Sequence, residues 1–214
     1  MVEIIPAVLP KNFNELEREL ERLHGVAPLI QIDLVGKNIL EGHYALPFWE
    51  EFDFECDIML NNSAHEVQTC IDAGASRVVV HAEDSSAREA LEALQPMRGG
   101  DIPTMLGLAL RSHDTPNALV PFEGLYDFVQ VMGIDHIGKQ GEPPDPHHHE
   151  VELIKQLRAQ FPALVIQVDG AAAAHVGELV KAGATRLVVG SAIIESDNPR
   201  EEIKKLQAEA NRMV

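Results

Sequence analysis

The chain reads as an α/β protein, an eight-fold (β/α)8 barrel, on three observations. Eight short apolar runs are separated by segments of helical periodicity, the order that gives parallel strands with right-handed crossovers. The units average roughly 27 residues, which suits a compact closed barrel. One stretch also occurs twice. Ala73–Glu83 reads AGASRVVVHAE and Ala182–Ala192 reads AGATRLVVGSA, so the same helix end, turn and strand recur about half a chain later, as two half-barrels require. An open, doubly wound sheet is the rival, and the repeat speaks against it. No linker divides the sequence, so residues 1–214 are expected to form one barrel domain.

The elements follow in order. Glu3–Leu9 is a first strand. Phe13–His24 places Phe13, Leu16, Leu20 and Leu23 on one helical face, with Asn12 as its N-cap. Leu29–Leu34 is a second strand, followed by a weaker helix at Leu46–Phe52. Asp57–Asn61 and Arg77–His81 are strands followed by helices at Ala64–Ala73 and Ser85–Leu94. Thr104–Leu110 leads to a weak helix at Asn117–Leu125. Asp127–Ile134 leads through an irregular loop, Asp135–His149, to a helix at Glu150–Phe161. Leu164–Val168 is apolar throughout, as in a strand buried on both faces, and ends in Asp169-Gly170. The helix Ala173–Ala182 is stopped by Gly183, and the last strand, Arg186–Val189, closes in Gly190-Ser191. Asn198 caps a final helix, Pro199–Met213, whose first position suits Pro199.

Composition excludes several function classes. The net charge is −17, from 34 acidic and 17 basic residues, so the chain lacks the basic field that nucleic acid or an anionic membrane surface requires. A small anionic substrate needs only a local positive site. No apolar run reaches the length of a membrane span, and the opening MVEIIPAVLPKNF lacks the basic and apolar regions of a signal peptide. The two cysteines, Cys56 and Cys70, form no C-x-x-C pair and read as reduced, buried thiols. Together these predict a cytoplasmic protein.

In a parallel barrel, chemistry sits at the C-terminal ends of the strands. Asp33 and Asp169 end the second and seventh strands, and two carboxylates facing across a substrate can act as base on one face and acid on the other. The alternative is that each caps a loop or pairs with Arg or Lys. Gly170, Gly190 and Ser191 are phosphate candidates, since the loops after strands seven and eight often hold phosphate on backbone N–H groups. Plain turn chemistry would also explain these small residues. The stretch Gly133–Gly141 reads as a lid with Gly138 and Gly141 as hinges and Lys139 as an anion contact, or as a solvated connector. His81 reads as a site-lining residue. The triplet His147–His149 reads as a surface feature, because sequence neighbours point apart and make a poor metal cage. His24, His43, His65 and His175 show no ligand spacing.

At these residues the chain resembles the ribulose-phosphate 3-epimerase family over nearly its whole length. IIPAVLPKNFNELERELERL resembles the family's opening, QIDLVGK its HIDVMDG, DIMLN its DVHLM and LGLALRSHDTP its GLALNPxTP. VVVHAE resembles the fourth strand end, and FVQVMGID stands where the family has VLVMTVNPGFGGQ. VDGA followed by AGATRLVVGSAII resembles VDGG and AGAxxxVxGSAIF, the most specific match. The resemblance implies a (β/α)8 TIM barrel of the ribulose-phosphate-binding type that inverts carbon 3 of a pentulose 5-phosphate. It also implies a small phosphorylated sugar as partner and allows a homo-oligomer.

The family's divalent metal is held by two His and two Asp. Carried over residue by residue, both Asp are present as Asp33 and Asp169, while Gln31 and Met59 stand where the His would be. The expectation is therefore no metal ligands and no cofactor. Ala7 replaces an early serine, Pro10-Lys11-Asn12 a serine–alanine–aspartate, Gly36 a second aspartate, HIGKQG the glycine-rich lid and Ala171 a second glycine. Gly190, Ser191 and Ala192 are kept. Two readings result: a sugar-phosphate epimerase or isomerase using Asp33 and Asp169, or a catalytically silent barrel binding a phosphorylated ligand or a protein partner. The Asp-x-Lys-x-x-Asp pattern of the related decarboxylases and aldolases is absent.

Overall fold

In the computed structural model, eight parallel strands close into a barrel in sequence order, each paired with its chain neighbours and the first with the last. The structure describes residues 2–43, 46–48, 50–99, 103–139 and 141–213. The strands are β1 (Glu3–Val8), β2 (Leu29–Leu34), β3 (Asp53–Ile58), β4 (Arg77–His81), β5 (Met105–Leu110), β6 (Phe128–Met132), β7 (Val165–Asp169) and β8 (Arg186–Val189). The helices are α1 (Phe13–Arg22), α2 (Ser63–Asp72), α3 (Ala87–Leu94), α4 (His149–Gln160), α5 (Val176–Ala182), the one-turn α6 (Ser191–Ile194) and α7 (Pro199–Asn211). Among the described residues no helix is long and apolar enough to cross a membrane.

Three elements differ from the sequence expectation. β3 begins at Asp53 and ends at Ile58, not at Asp57 and Asn61, because its inward positions carry Glu55 and Asp57 and break the apolar run. The stretch Leu46–Phe52 makes turns at its described residues, with Trp49 outside them. Asn117–Leu125 is a 3₁₀ segment, Pro116–Phe122, whose internal Pro121 prevents a regular α-helix. Both predicted caps are present: the Asn12 side chain accepts from the Glu15 N–H at 3.0 Å and Asn198 from Glu201 at 3.3 Å. Cys56 and Cys70 are free and buried.

The main apolar core lies between strands and helices, where Leu16, Leu20, Ile30, Phe54, Val78, Leu91, Ile154 and Leu187 are inaccessible to solvent. The barrel interior is different. Phe128, Val79, Ala109 and Met132 fill part of it. Phe128 fits because β5 offers Gly107 opposite: a Cβ there would lie 2.6 Å from the ring. The rest is polar, with Gln31, Glu55, Asp57, Gln130 and Gln167 all fully buried. At the N-terminal end Arg186 lies 3.1 Å from Glu3 and Arg77 lies 3.7 Å from Glu55, while the Arg186 guanidinium covers the Phe128 ring at 5.0 Å. This charged base closes the barrel below. The C-terminal ends of the strands are left to form clefts.

Candidate active site

A cleft of about 250 Å³ opens at the C-terminal mouth, lined by Asp33, Gly138, Asp169, Gly170, Gly190 and Ser191 among others. Six of the seven residues singled out from sequence thus share one cavity. His81, the seventh, lines a neighbouring depression with Glu83, Arg111 and Asp135, and only Met59 belongs to both.

Asp33 and Asp169 are joined by one side chain. The Gln31 amide nitrogen donates to Asp33 Oδ1 at 2.7 Å and to Asp169 Oδ2 at 3.0 Å. Its orientation follows from its neighbours. The Gln167 nitrogen faces three oxygens: Glu55 at 2.5 Å, Gln130 at 2.8 Å and Gln31 Oε1 at 3.2 Å. Only a donor is stable among three acceptors, so Gln31 turns its oxygen to Gln167 and its NH₂ group to the carboxylates. Neither aspartate caps a loop or pairs with Arg or Lys among the described residues.

A third carboxylate, Asp57, completes an acidic trio whose oxygens lie within 4.8 Å of one another. It accepts from Gln130 at 2.6 Å and contacts His81 Nε2 at 2.9 Å. Sequence reasoning passed over Asp57, Glu55, Gln130 and Gln167. Their signal was alternation: Glu55 and Asp57 lie two apart in DFECDI and so face the same side of the sheet.

Burial in so acidic a place makes these groups hold protons. Desolvation, reinforced by Asp169 and Asp57, pushes Asp33 well above the usual carboxylate range. Desolvation and the Asp57 charge raise Asp169 to about 7, against the Gln31 hydrogen bond and His81, which pull it down. Desolvation likewise raises Glu55 to about 7. For His81 burial disfavours the cation, but the Asp57 charge and contact more than offset it and the pKa is raised. The pair Asp33–Asp169 therefore retains a proton near neutrality, as two carboxylates sharing a site do.

The far wall of the cleft is built from close backbone approaches. Gly133 N–H donates to the Asp169 carbonyl at 2.6 Å, and a Cβ on Gly133 would lie 2.2 Å from the Gly170 carbonyl oxygen. Gly170 has φ +95 and Ala171 has φ 52, so the position where the family carries glycine is a left-handed one that alanine occupies at a cost of about 1–2 kcal/mol. Gly190 precedes the first turn of α6, whose leading N–H groups have no intrahelical acceptor. In the loop after β6, Gly138 (φ +84) sits against Val35, and Lys139 Nζ lies 3.7 Å from Glu142. Gln140 of the expected lid lies outside the described residues.

The donor set bears on a metal. A borderline divalent ion of the kind that two imidazoles and two carboxylates hold would meet an amide nitrogen, which has no lone pair to give, and the Met59 thioether, a ligand for soft ions. The residues present do not fit that His₂Asp₂ set. The three carboxylates are oxygen donors, and Gln31, Gln130 and His81 already engage them.

Comparison with known proteins agrees with this architecture. The model of the ribulose-phosphate 3-epimerase family matches residues 3–194. The ribulose-phosphate 3-epimerase of Schizosaccharomyces pombe is 26% identical, over 96% of this chain and 92% of its own length. The cytoplasmic isoform of Oryza sativa subsp. japonica is 25% identical over the same shares. Among solved structures, 3-hexulose-6-phosphate synthase from Salmonella typhimurium superposes with a TM-score of 0.70 at 17% identity, covering 99% of this chain and 100% of its own. KGPDC from Streptococcus mutans, in complex with ribulose 5-phosphate, gives 0.69 at 13%, covering 99% and 98%. These two show a shared fold. With the family match spanning most of the sequence, the chain belongs to the ribulose-phosphate 3-epimerase family, a family of isomerases.

Proposed function

We propose that the protein interconverts D-ribulose 5-phosphate and D-xylulose 5-phosphate by proton transfer between Asp33 and Asp169, with the Gln31 amide bridging them where relatives of the family hold a divalent ion. The observation that carries this reading is the single donor spanning both carboxylates, 2.7 Å from one and 3.0 Å from the other. The pair keeps a proton near neutrality, which epimerisation requires: one member ionised, the other protonated. Asp169, near 7, is the base in the forward direction and takes the carbon 3 proton. Asp33, held protonated, returns a proton on the opposite face. The proton count is unchanged after turnover, and the two aspartates exchange roles for the reverse reaction.

The negative charge that leaves Asp169 appears on the substrate oxygens. Lys139 and Ser191 line the same cleft and supply donors there, each such donor being worth about 2.7–4 kcal/mol in a closed site. The phosphate is assigned to the turn Gly170–Ala171 and to Gly190–Ser191, with their backbone N–H groups as donors. The S. mutans protein, solved with ribulose 5-phosphate, makes a small phosphorylated sugar a reasonable occupant of this rim. His81 serves from the adjoining depression by holding Asp57.

The test is incubation of ribulose 5-phosphate in D₂O with and without chelator. Deuterium at carbon 3 and xylulose 5-phosphate, both insensitive to chelator, are expected. No deuterium and no product, with thermal stabilisation by the sugar phosphate, would establish instead a silent barrel that binds the ligand. Activity abolished by chelator and restored by a divalent ion would reject the amide bridge.

A further inference from the structure

The histidine triplet behaves differently from its sequence reading. Neighbours do point apart, but His148 and His149 each meet partners from elsewhere. His149 joins His113 and Asp145, and His148 joins Glu150 and His175. The second group is the more unusual. The Glu150 side chain is 0% exposed and that of His175 is 7% exposed. His175 Nε2 and Glu150 Oε1 lie 3.0 Å apart but off hydrogen-bonding alignment. Both Glu150 oxygens and both His175 ring nitrogens consequently have no hydrogen-bond partner among the described residues. A buried carboxylate and imidazole left this way are costly unless something else engages them.

We propose that His148, Glu150 and His175 form a zinc-class transition-metal site, separate from the barrel mouth, with the Glu178 carboxylate as fourth donor. Imidazole and carboxylate in this number suit zinc. Donors about 2.0–2.1 Å from a tetrahedral zinc lie about 3.3 Å from one another. The observed separations bracket that value: 3.0 Å from His175 to Glu150, 3.8 Å from His148 to Glu150 and 3.5 Å from His148 to Glu178. The starts of α4 and α5 both face the cluster and oppose a bare cation, and two carboxylates balance the ion's charge. His148 lies where the loop from β6 meets α4, and His175 follows the Gly170–Ala174 turn of the cleft. An ion here would tie two walls of the cleft together.

The experiment is titration of the chelator-treated full-length protein with Zn²⁺ against a chromophoric competitor, with melting curves and Co²⁺ spectra alongside. One equivalent of tight binding, a raised Tm and a tetrahedral Co²⁺ spectrum are expected. Affinity should fall at least about tenfold in His175→Ala and in His148→Asn, and stay unchanged in Asp169→Asn and His113→Ala. His148→Asn guards against misfolding, because position 148 is half-exposed and left-handed and Asn tolerates both. Absence of stoichiometric binding, or binding that survives His148→Asn, would overturn the site. Loss in His113→Ala alone would assign the metal to the other histidine group.

Discussion

The two copies of the internal repeat share their lower halves and part at the rim. After α2 and after α5 the chain makes the same turn, through Gly74 (φ +93) and Gly183 (φ +120). Ser76 and Thr185 then make the same pair of bonds to the previous strand: N–H to carbonyl at 2.8 Å and hydroxyl to the same carbonyl at 3.2 Å, onto Phe54 and Ile166 respectively. Arg77 and Arg186 follow, and both reach Glu3. Four residues further on the copies diverge. β4 ends in His81, which holds Asp57, and β8 ends in Gly190-Ser191 at the cleft. The base of a barrel carries stability and the rim carries chemistry, and here one module shows both.

Substitutions can break that division, and the rim should show the largest effect. Asp169→Asn or Asp33→Asn is expected to lower epimerisation about 10²–10⁴-fold with little change in Tm, measured by steady-state rates beside calorimetry. Gln31→Leu removes the bridging donor and should cost about 10²–10³-fold in kcat. At the base the response should be in stability. Gly183→Ala adds a Cβ 2.9 Å from Arg158, which is itself held by the Gly183 carbonyl at 2.8 Å. Strain and crowding together predict about 2–4 kcal/mol by denaturant unfolding. Gly74→Ala meets nothing within 4 Å and should cost only about 1–2 kcal/mol. Unequal losses at two turns of the same shape would place the difference in packing.

The smallest expected effect is on pH dependence. Glu55 and Asp169 have folded pKa values near 7, above their ordinary carboxylate range, so the folded state keeps protons that the unfolded chain has lost. Stability then falls as pH rises toward 7. His81, also raised, adds stability that is present below its ordinary value and lost as pH rises through the folded one. Melting should therefore be higher at pH 6 than at pH 8. Glu55→Gln should narrow that gap; a gap left unchanged would remove Glu55 from the account.

The fold was legible because strand ends in this chain are marked by Asp-Gly, Gly-Ser and the repeated Ala-Gly turn. The cleft was legible for the same reason, since Gly170, Gly190 and Ser191 punctuate the strands that build it. Hidden from view were the polar residues inside the barrel. Gln130 and Gln167 interrupt apolar runs without signalling that they face one another, because a contact between β6 and β7 is a matter of register. Asp57 looked like the start of β3 although it is an inward residue near its end. The pairing of His148 with His175 depends on how two helix starts meet, which no spacing within either segment records.

The buried glutamines have a consequence for proton traffic. An amide relays polarity from one neighbour to the next, yet it surrenders no proton at physiological pH. Gln31 and Gln167 therefore separate Glu55 from the aspartates as an insulator separates two terminals. Glu55 can influence the mouth by its charge and cannot refill it. Any proton gained or lost by Asp33 or Asp169 has to come through the open rim, so exchange with solvent is governed by whatever covers that rim.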